Sequence, residues 1–349
     1  MQFFRRRKGL LVGLDIGSSA VKAVQLVERG GRYSVETLGL IPLAPEVIVE
    51  GQIIDPPAVA DSIQKLFEQA QIKTQRVAFA ASGSAVFVKR VSVPATPDPA
   101  ELHESILWET EQYLPFSREE VLIDYHILQE ESTESQVEAV IVALKRDYAQ
   151  MYIDIIQQAN LEPVVFDIDA FAIQNAFEVN YPELAQTRDV VALIHVGASK
   201  LTMNIVRGMD PLFVRDAMMG MRALTEIIRT EFNLTYDQAE LAKRGRYEIR
   251  LEQLRPYMQQ VFQDIAREIA KTIRFFRQNF TELTIRQAFL SGGGVLTPGF
   301  REFTQHAIEL PVEILDPFRT IDASNVDPDF IEEHRPILAV AVGLALRRG

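Results

Sequence analysis

Cysteine is absent from this chain of 349 residues. That excludes disulfide staples and thiolate chemistry alike, and it is compatible with a reducing cytosol. A surplus of basic residues is also missing: 36 Lys and Arg stand against 48 Asp and Glu, a formal net charge of −12. Nucleic-acid binders draw most of their affinity from basic patches, so this balance argues against nucleic acid as a partner. Long apolar runs are lacking as well. The longest, Ile337 to Leu346, falls well short of the roughly 20 residues that span a bilayer. Histidine is scarce, and His103, His126, His306 and His334 are scattered without ligand spacing, so no zinc site is expected. No Ser-His-Asp grouping or nucleophile elbow is visible. What is there, 47% hydrophobic and 24% charged residues, is ordinary for a globular protein long enough for two domains.

The stretch Met1-Gln2-Phe3-Phe4-Arg5-Arg6-Arg7-Lys8 is basic and aromatic, but Leu10 opens a strand where a signal peptide would place its apolar core. It reads either as a frayed terminus or as a contact with an anionic membrane surface or acidic partner. In the second case each basic residue contributes about 1 kcal/mol, enough to aid retention but not to anchor.

Three glycine-bearing turns carry the chemistry. Gly13-Leu14-Asp15-Ile16-Gly17-Ser18-Ser19-Ala20-Val21-Lys22 reads as a strand, a tight turn and a second strand. Gly17 lets the backbone approach a ligand, and the turn's N–H groups and hydroxyls can donate to phosphate oxygens. Asp15 is placed to hold Mg²⁺ through water, because that ion gives up its waters reluctantly. The same residues also suit a hairpin that needs Gly and Ser for geometry alone. Leu193-Ile194-His195-Val196-Gly197-Ala198-Ser199 repeats the strand and Gly turn. Near the end, Ser291-Gly292-Gly293-Gly294 follows a strand over Ile285 to Leu290, and bare backbone there suits a ring or ribose.

The remaining pattern predicts duplication. Strands over Leu10–Ile16, Val21–Val27 and Tyr33–Leu40 precede a helix from Ala58 to Ala70 and strands near Arg76–Ala81 and Ala85–Val93. A compact α-β-β-α block follows at 93–163. Its first helix has Asp98 as N-cap, Pro99 at the first position and Glu101 closing a capping box, and the polar run Glu130 to Ser135 joins its two strands. Strands over Asp189–Val196, Leu201–Arg207 and Pro211–Asp216 then repeat the opening order. Leu254, Met258, Val261, Ile265, Ile269, Ile273, Phe276 and Phe280 form one stripe of a long helix, which reads as core. A closing helix from Pro336 to Arg348 carries Ala339, Ala341, Gly343 and Ala345, small enough for close packing.

This ordered set resembles the actin, Hsp70 and sugar-kinase superfamily of nucleotide-binding proteins. Val12–Lys22, Val91–Leu128, Leu161–Ala176, Leu290–Phe300 and Ile337–Arg347 narrow the resemblance. So does the segment Trp108-Glu-x-Glu-x-Tyr113-Leu-Pro-Phe116 with Asp124-Tyr125. On these residues the chain resembles the PilM family of type IV pilus assembly proteins, relatives of the division protein FtsA. The resemblance implies an actin-like α/β fold: duplicated ribonuclease H-like sheets with an inserted α+β subdomain. Its expected parts are a first core (1–92 and 164–185), the insert (93–163), a second core (186–219 and 284–349) and a helical subdomain (220–283).

It also implies ATP or ADP between two lobes. Asp15, Gly17, Ser18, Ser19 and Lys22 form the first phosphate loop, and His195, Gly197, Ala198 and Ser199 the second. Gly292, Gly293 and Gly294 form the adenosine loop. Within Ala239-Glu240-Leu241-Ala242-Lys243-Arg244, Glu240 faces the ribose and Lys243 and Arg244 flank the adenine, where cation–π contact is worth roughly 0.5–2 kcal/mol. A solvated charge pair is the alternative for Arg244. The second loop departs from the family, which has Asp where this chain has His195. A neutral imidazole offers no charge to Mg²⁺, so binding with slow or absent hydrolysis is expected. Asp167 is the candidate to orient water, or else to cap the helix near Asp169.

As partners the resemblance implies the N-terminal tail of the inner-membrane protein PilN, in a groove between first core and insert. Val86–Pro94 and the Leu114-Pro115-Phe116 corner are candidates for that groove. It further implies the pilus inner-membrane complex with its motor ATPases, self-association, and a cytoplasmic place on the inner face of the membrane. An FtsA-like filament-forming ATPase is the competing function.

Overall fold

The computed structural model describes residues 9–128, 133 and 135–349. The basic stretch Met1–Lys8 and most of the Glu130–Ser135 run lie outside the described residues.

Alternating apolar residues and Gly turns build the first lobe. Strands β1 (Val12–Ile16), β2 (Ala20–Arg29) and β3 (Arg32–Pro42) form an antiparallel meander. A two-residue pair, β4 (Ile48–Val49) and β5 (Gln52–Ile53), precedes helix α1 (Pro56–Gln69), which Asp55 caps by accepting from Ala58 N. Strand β6 (Arg76–Ala81) then joins β1 in parallel. Next come β7 (Val86–Pro94), helix α2 (Pro99–Glu111), β8 (Val121–Ile127), β9 (Gln136–Lys145) and helix α3 (Arg146–Gln158). Strand β10 (Glu162–Ile168) completes the sheet beside β6, in the order β10-β6-β1-β2-β3, and leads into α4 (Asp169–Asn180) and the short α5 (Pro182–Ala185).

The second lobe repeats this plan. Strands β11 (Val190–Val196), β12 (Leu201–Arg207) and β13 (Asp210–Ala217) form the meander. Helices α6 (Arg222–Glu231), α7 (Tyr236–Lys243) and α8 (Leu251–Asn279) come before β14 (Ile285–Ser291). After α9 (Phe300–Ile308), β15 (Val312–Ile314) adds in parallel, giving β13-β12-β11-β14-β15. The two sheets thus share one strand order, three antiparallel strands followed by two parallel ones. The echo in the sequence is a duplication in space.

The chain ends with α10 (Pro328–His334) and α11 (Ala339–Ala345). Helices α4 and α11 lie between the sheets: Ala172, Ile173, Phe177, Val340 and Leu344 share one cluster with Ala78 and Ala80 of the first sheet and Val191, Leu193 and Phe289 of the second. The small residues of α11 make this possible. A Cβ on Gly343 would meet the Ala172 carbonyl oxygen at 1.6 Å, and one on Gly13 the Ala341 carbonyl oxygen at 2.0 Å. On the outer faces, α1 and α3 cover the first sheet, and α8 covers the second with the stripe Leu254 to Phe276 buried.

Several expected boundaries shift. Strand β7, placed in the first core by sequence up to residue 92, pairs with β9 in a separate three-stranded sheet, β7-β9-β8. Helix α3, expected in the insert, packs with Tyr152, Ile155 and Ile156 into the first lobe's core. Asp98 accepts from Ala100 N as a cap, but Glu101 accepts from the Thr96 hydroxyl and closes no box. The closing helix, expected from Pro336 to Arg348, is regular only over Ala339–Ala345 and is entered through a tight turn at Arg335–Leu338.

Candidate functional site

Between the lobes lies a cleft of about 1130 Å³. The two hairpin turns meet there because each follows the first strand of its meander. In the first, the Gly17 N–H donates to the Ala20 carbonyl at 3.1 Å; in the second, the Gly197 N–H donates to the Lys200 carbonyl at 2.8 Å. The strand registers correspond too: Asp15 stands opposite Lys22, and His195 opposite Thr202.

Asp15, Gly17, Ser18, Ser19, Lys22, His195, Gly197, Ala198, Ser199, Glu240, Lys243, Arg244, Gly292 and Gly293 all line the cleft. Two expected residues do not. Gly294 packs inward, where a Cβ would strike Val196 Cγ1 at 2.6 Å. Asp167 points away and pairs with Arg347 Nε at 2.6 Å, accepting also from Ile168 N. It therefore neither reaches a ligand in the cleft nor caps α4, whose N-terminus has no side-chain cap. Burial pushes its carboxyl up against the pull of Arg347.

Asp169 takes the cleft position instead. Strand alternation alone would put residues 167 and 169 on one face, but β10 ends at Ile168 and Asp169 is the first residue of α4, so the chain turns between them. Lys200 donates to its Oδ2 at 2.6 Å, and the Ser82 hydroxyl donates to the same oxygen at 2.7 Å. Burial works to raise the Asp169 carboxyl, but the Lys200 charge and these hydrogen bonds outweigh it and hold it below the usual range. Lys200 is held above its ordinary value: burial opposes its charge, and Asp169 and Asp216 more than compensate. Asp15 behaves differently. Lys22 donates to it at 2.7 Å, yet burial prevails and its carboxyl is raised.

His195 is neutral. Burial draws its pKa down to about 3, against the charge of Asp169 and with that of Lys200 and Lys22. Its Nδ1 lies 3.0 Å from the Ser291 hydroxyl, and a Cβ on Gly292 would come within 3.1 Å of its Cε1. The second turn and the Gly loop are therefore one continuous surface. Gly292 needs its glycine: φ is 87°, and a Cβ would lie 2.5 Å from the Val196 carbonyl oxygen.

Opposite, the capping box at Thr235 and Gln238 starts α7 and fixes Glu240. Lys243 donates to Glu240 Oε1 at 2.6 Å and to the Thr225 hydroxyl at 2.8 Å, so its ammonium is tied rather than free. Burial lowers Lys243, while Lys243 and Thr225 overcome burial at Glu240 and lower its carboxyl. Arg244 stands 3.8 Å from Glu240 Oε2. Sequence reasoning missed Asp169, Lys200, Ser82 and Arg222. The last sits at the start of α6 and donates across the cleft to the carbonyls of Ser18, Pro45 and Ile48.

The residues at the phosphate end do not fit a divalent cation. Asp15 and Asp169 each hold an ammonium, and among the described residues no group of three His, Asp or Glu is placed to ligate a metal. Ser199 is different: its hydroxyl is buried, lines the cleft and has no partner among the described residues.

Two cations of the three-stranded sheet lie over aromatic rings near the candidate groove segments. Lys89 of β7 places its ammonium 3.1 Å from the Tyr113 ring centroid, and Lys145 lies 4.5 Å from that of Phe116. Trp108 (66% exposed), Tyr113 and Leu122 leave apolar surface open beside them.

The family model described as type IV pilus assembly protein PilM matches residues 13–349. Among solved structures, the PilM-PilN type IV pilus biogenesis complex is similar at a TM-score of 0.85 and 27% identity, covering 97% of this chain and 98% of that one. Ethanolamine utilization protein EutJ from Carboxydothermus hydrogenoformans is similar at 0.56 and 13%, over 98% and 93% of the two chains. MreB5 of Spiroplasma citri bound to ADP is similar at 0.51 and 14%, over 96% and 94%. At such identities EutJ and MreB5 bear on the fold alone, which is the actin-like ATPase fold. No helix among the described residues is long and apolar enough to cross a membrane.

Proposed function

This chain belongs to the type IV pilus assembly protein PilM family, and on that premise we propose that it is a nucleotide-binding scaffold of the pilus assembly machinery. It takes ATP or ADP between its lobes and docks the N-terminal tail of the inner-membrane protein PilN. The observation that carries the nucleotide reading is convergence: both Gly turns, Gly292–Gly293 and the Glu240–Arg244 segment line a single cleft. The unpartnered Ser199 hydroxyl supports it, since a buried donor without an acceptor is costly until a ligand supplies one.

The partner reading is supported by the likeness to the PilM-PilN complex along nearly the whole chain. The tail docks at the three-stranded sheet, near β7 and the Leu114–Phe116 corner. An extended segment there gains main-chain hydrogen bonds from an edge strand, and β7 is an edge. Through that tail the scaffold is held at the inner face of the membrane. Hydrolysis is slow or absent, because His195 is neutral and both floor carboxylates are occupied by lysines.

Thermal-shift titration with ATP, ADP and a PilN-tail peptide tests both halves of the proposal. Mass action stabilises the folded state by about 2.7 kcal/mol at 100 times the dissociation constant. A melting temperature unmoved by saturating ATP and ADP refutes nucleotide binding, and one unmoved by the peptide refutes the docking.

A further inference from the structure

We propose that Lys200 is a resident counter-cation for the phosphate tail, so that the cleft binds its nucleotide without a divalent metal ion. The inference rests on the nucleotide reading above and concerns how that site balances charge.

The two turns can be compared position by position. The first has Ala20 at its end and the cross-strand pair Asp15–Lys22; the second has Lys200 at its end and the uncharged pair His195–Thr202. The second lobe therefore has an imidazole where the first has a carboxylate, and it carries a cation in the turn itself. Lys200 does not fold back on its own lobe. It reaches Asp169 of the first lobe at 2.6 Å, on the wall of the same cleft.

Asp15, Asp169 and Asp216 each already carry a partner. Asp15 holds Lys22 at 2.7 Å. Asp169 holds Lys200 and the Ser82 hydroxyl on one oxygen. Asp216 accepts from the Thr202 hydroxyl at 2.7 Å and from Gly83 N at 2.6 Å, one on each oxygen. A Mg²⁺ ion demands near-octahedral oxygens and is held by carboxylates and substrate phosphates. Here Asp15 and Asp169 each already hold an ammonium, so a Mg²⁺ ion beside them meets a positive charge at both. Phosphate meets no such repulsion. An ammonium carries three donors, and Lys200 spends one on Asp169, so the others are available to phosphate oxygens in charge-assisted bonds. The adjacent Ser199 hydroxyl, buried and unpartnered among the described residues, supplies a further donor.

The test is ATP affinity of the full chain by calorimetry, measured in Mg²⁺ and in EDTA. Equal affinities within about twofold are expected for the parent chain. Lys200→Met should weaken binding in EDTA by about tenfold or more, the loss expected for a charged hydrogen bond, whereas Lys200→Arg should retain most of it. A parent chain that loses about tenfold or more in EDTA overturns the inference while leaving nucleotide binding intact. So does Lys200→Met binding as tightly as the parent in EDTA. Absence of binding in both buffers overturns the nucleotide reading itself. Where Lys200→Met fails to fold, Lys200→Met/Asp169→Asn removes both charges at similar volume and is read by the same criteria.

Discussion

Arg222, at the first turn of α6 in the second lobe, donates to the Ser18 carbonyl in the first lobe's phosphate turn, and its other terminal nitrogen donates to Pro45 and Ile48. One guanidinium thus ties the helical side of the cleft to the turn that faces phosphate. All three acceptors are backbone carbonyls, so these bonds depend on the path of the chain. Hydrogen bonds to a charged group are worth about 1.5–3 kcal/mol each when removed singly. We expect Arg222→Ala to lower stability by about 2–3 kcal/mol and to speed amide exchange around Ser18 and Ser19. Urea unfolding with hydrogen-exchange mass spectrometry reads both. Unchanged exchange in that turn would show that these bonds do not order it.

Two neighbouring glycines separate backbone need from ligand approach. Gly292 sits at φ 87° and ψ 173°, a region open essentially to glycine, with the Val196 carbonyl 2.5 Å from where a Cβ would stand. Gly293 has only Ile337 Cγ2 at 3.8 Å, an ordinary contact, and it too lines the cleft. Gly292→Ala should therefore cost at least about 1–2 kcal/mol of stability. Gly293→Ala should leave stability within about 0.5 kcal/mol and weaken ATP, because its methyl narrows the wall. Thermal melts with and without ATP distinguish the two; a Gly293→Ala variant with parental affinity would remove this loop from the adenosine contact.

The pH response follows from His195. Its pKa is 6.5 in the unfolded chain and about 3 in the folded one. Below about pH 6.5 the unfolded state takes up a proton that the folded state refuses, so stability is complete above that value and declines towards about pH 3. The slope from this one residue reaches about 1.4 kcal/mol per pH unit. His195→Gln should flatten the decline between about pH 6.5 and 4 relative to the parent, which paired urea titrations would show. Parallel profiles for parent and variant would mean that the imidazole charges freely in the fold.

Legibility in the sequence tracked how local the information was. The turns at Gly17 and Gly197 and the small residues Ala339 to Ala345 announced themselves, because glycine spacing and residue volume are local properties. Burial of the Leu254 to Phe276 stripe followed from helical period. Strand β7 was recognisable as a strand, but no alternation states which sheet it joins, and it joined β9. The floor of the cleft was less legible still. Lys200 and Asp169 lie 31 positions apart, and Arg222 and Ser18 lie 204 apart. A lysine in a turn and an arginine at a helix start read as solvated until the fold brings their acceptors. The choice between Asp167 and Asp169 depended on how β10 ends, which residue identity does not fix.

The Glu240–Lys243 pair gives a test of cost against specificity. Lys243 is almost wholly enclosed, and its ammonium has Glu240 and Thr225 as partners. Removing the carboxylate alone strands a buried charge, whereas removing both charges leaves a passable apolar contact. Glu240→Ala should cost about 3 kcal/mol, and Glu240→Gln/Lys243→Met should recover most of it. If nucleotide contacts Glu240, ATP affinity stays low in the double variant although stability returns. Recovery of both would assign the pair to packing alone.

Trp108 is the chain's single tryptophan and is 66% exposed on α2. Most of its indole is open to solvent, and Tyr113 and Leu122 are also exposed on the same small subdomain. Substitution there should therefore leave folding stability within about 0.5 kcal/mol. Aromatic anchors at interfaces behave differently, costing about 2 kcal/mol or more when truncated. If the PilN tail docks against this subdomain, Trp108→Ala melts with the parent chain yet loses about thirtyfold in affinity for the tail peptide. The parent's fluorescence reports the same event directly, since the indole loses water as the peptide binds and its emission shifts to the blue. An emission spectrum unmoved by saturating peptide, together with parental affinity in Trp108→Ala, would place the docking surface elsewhere and leave this face to another partner.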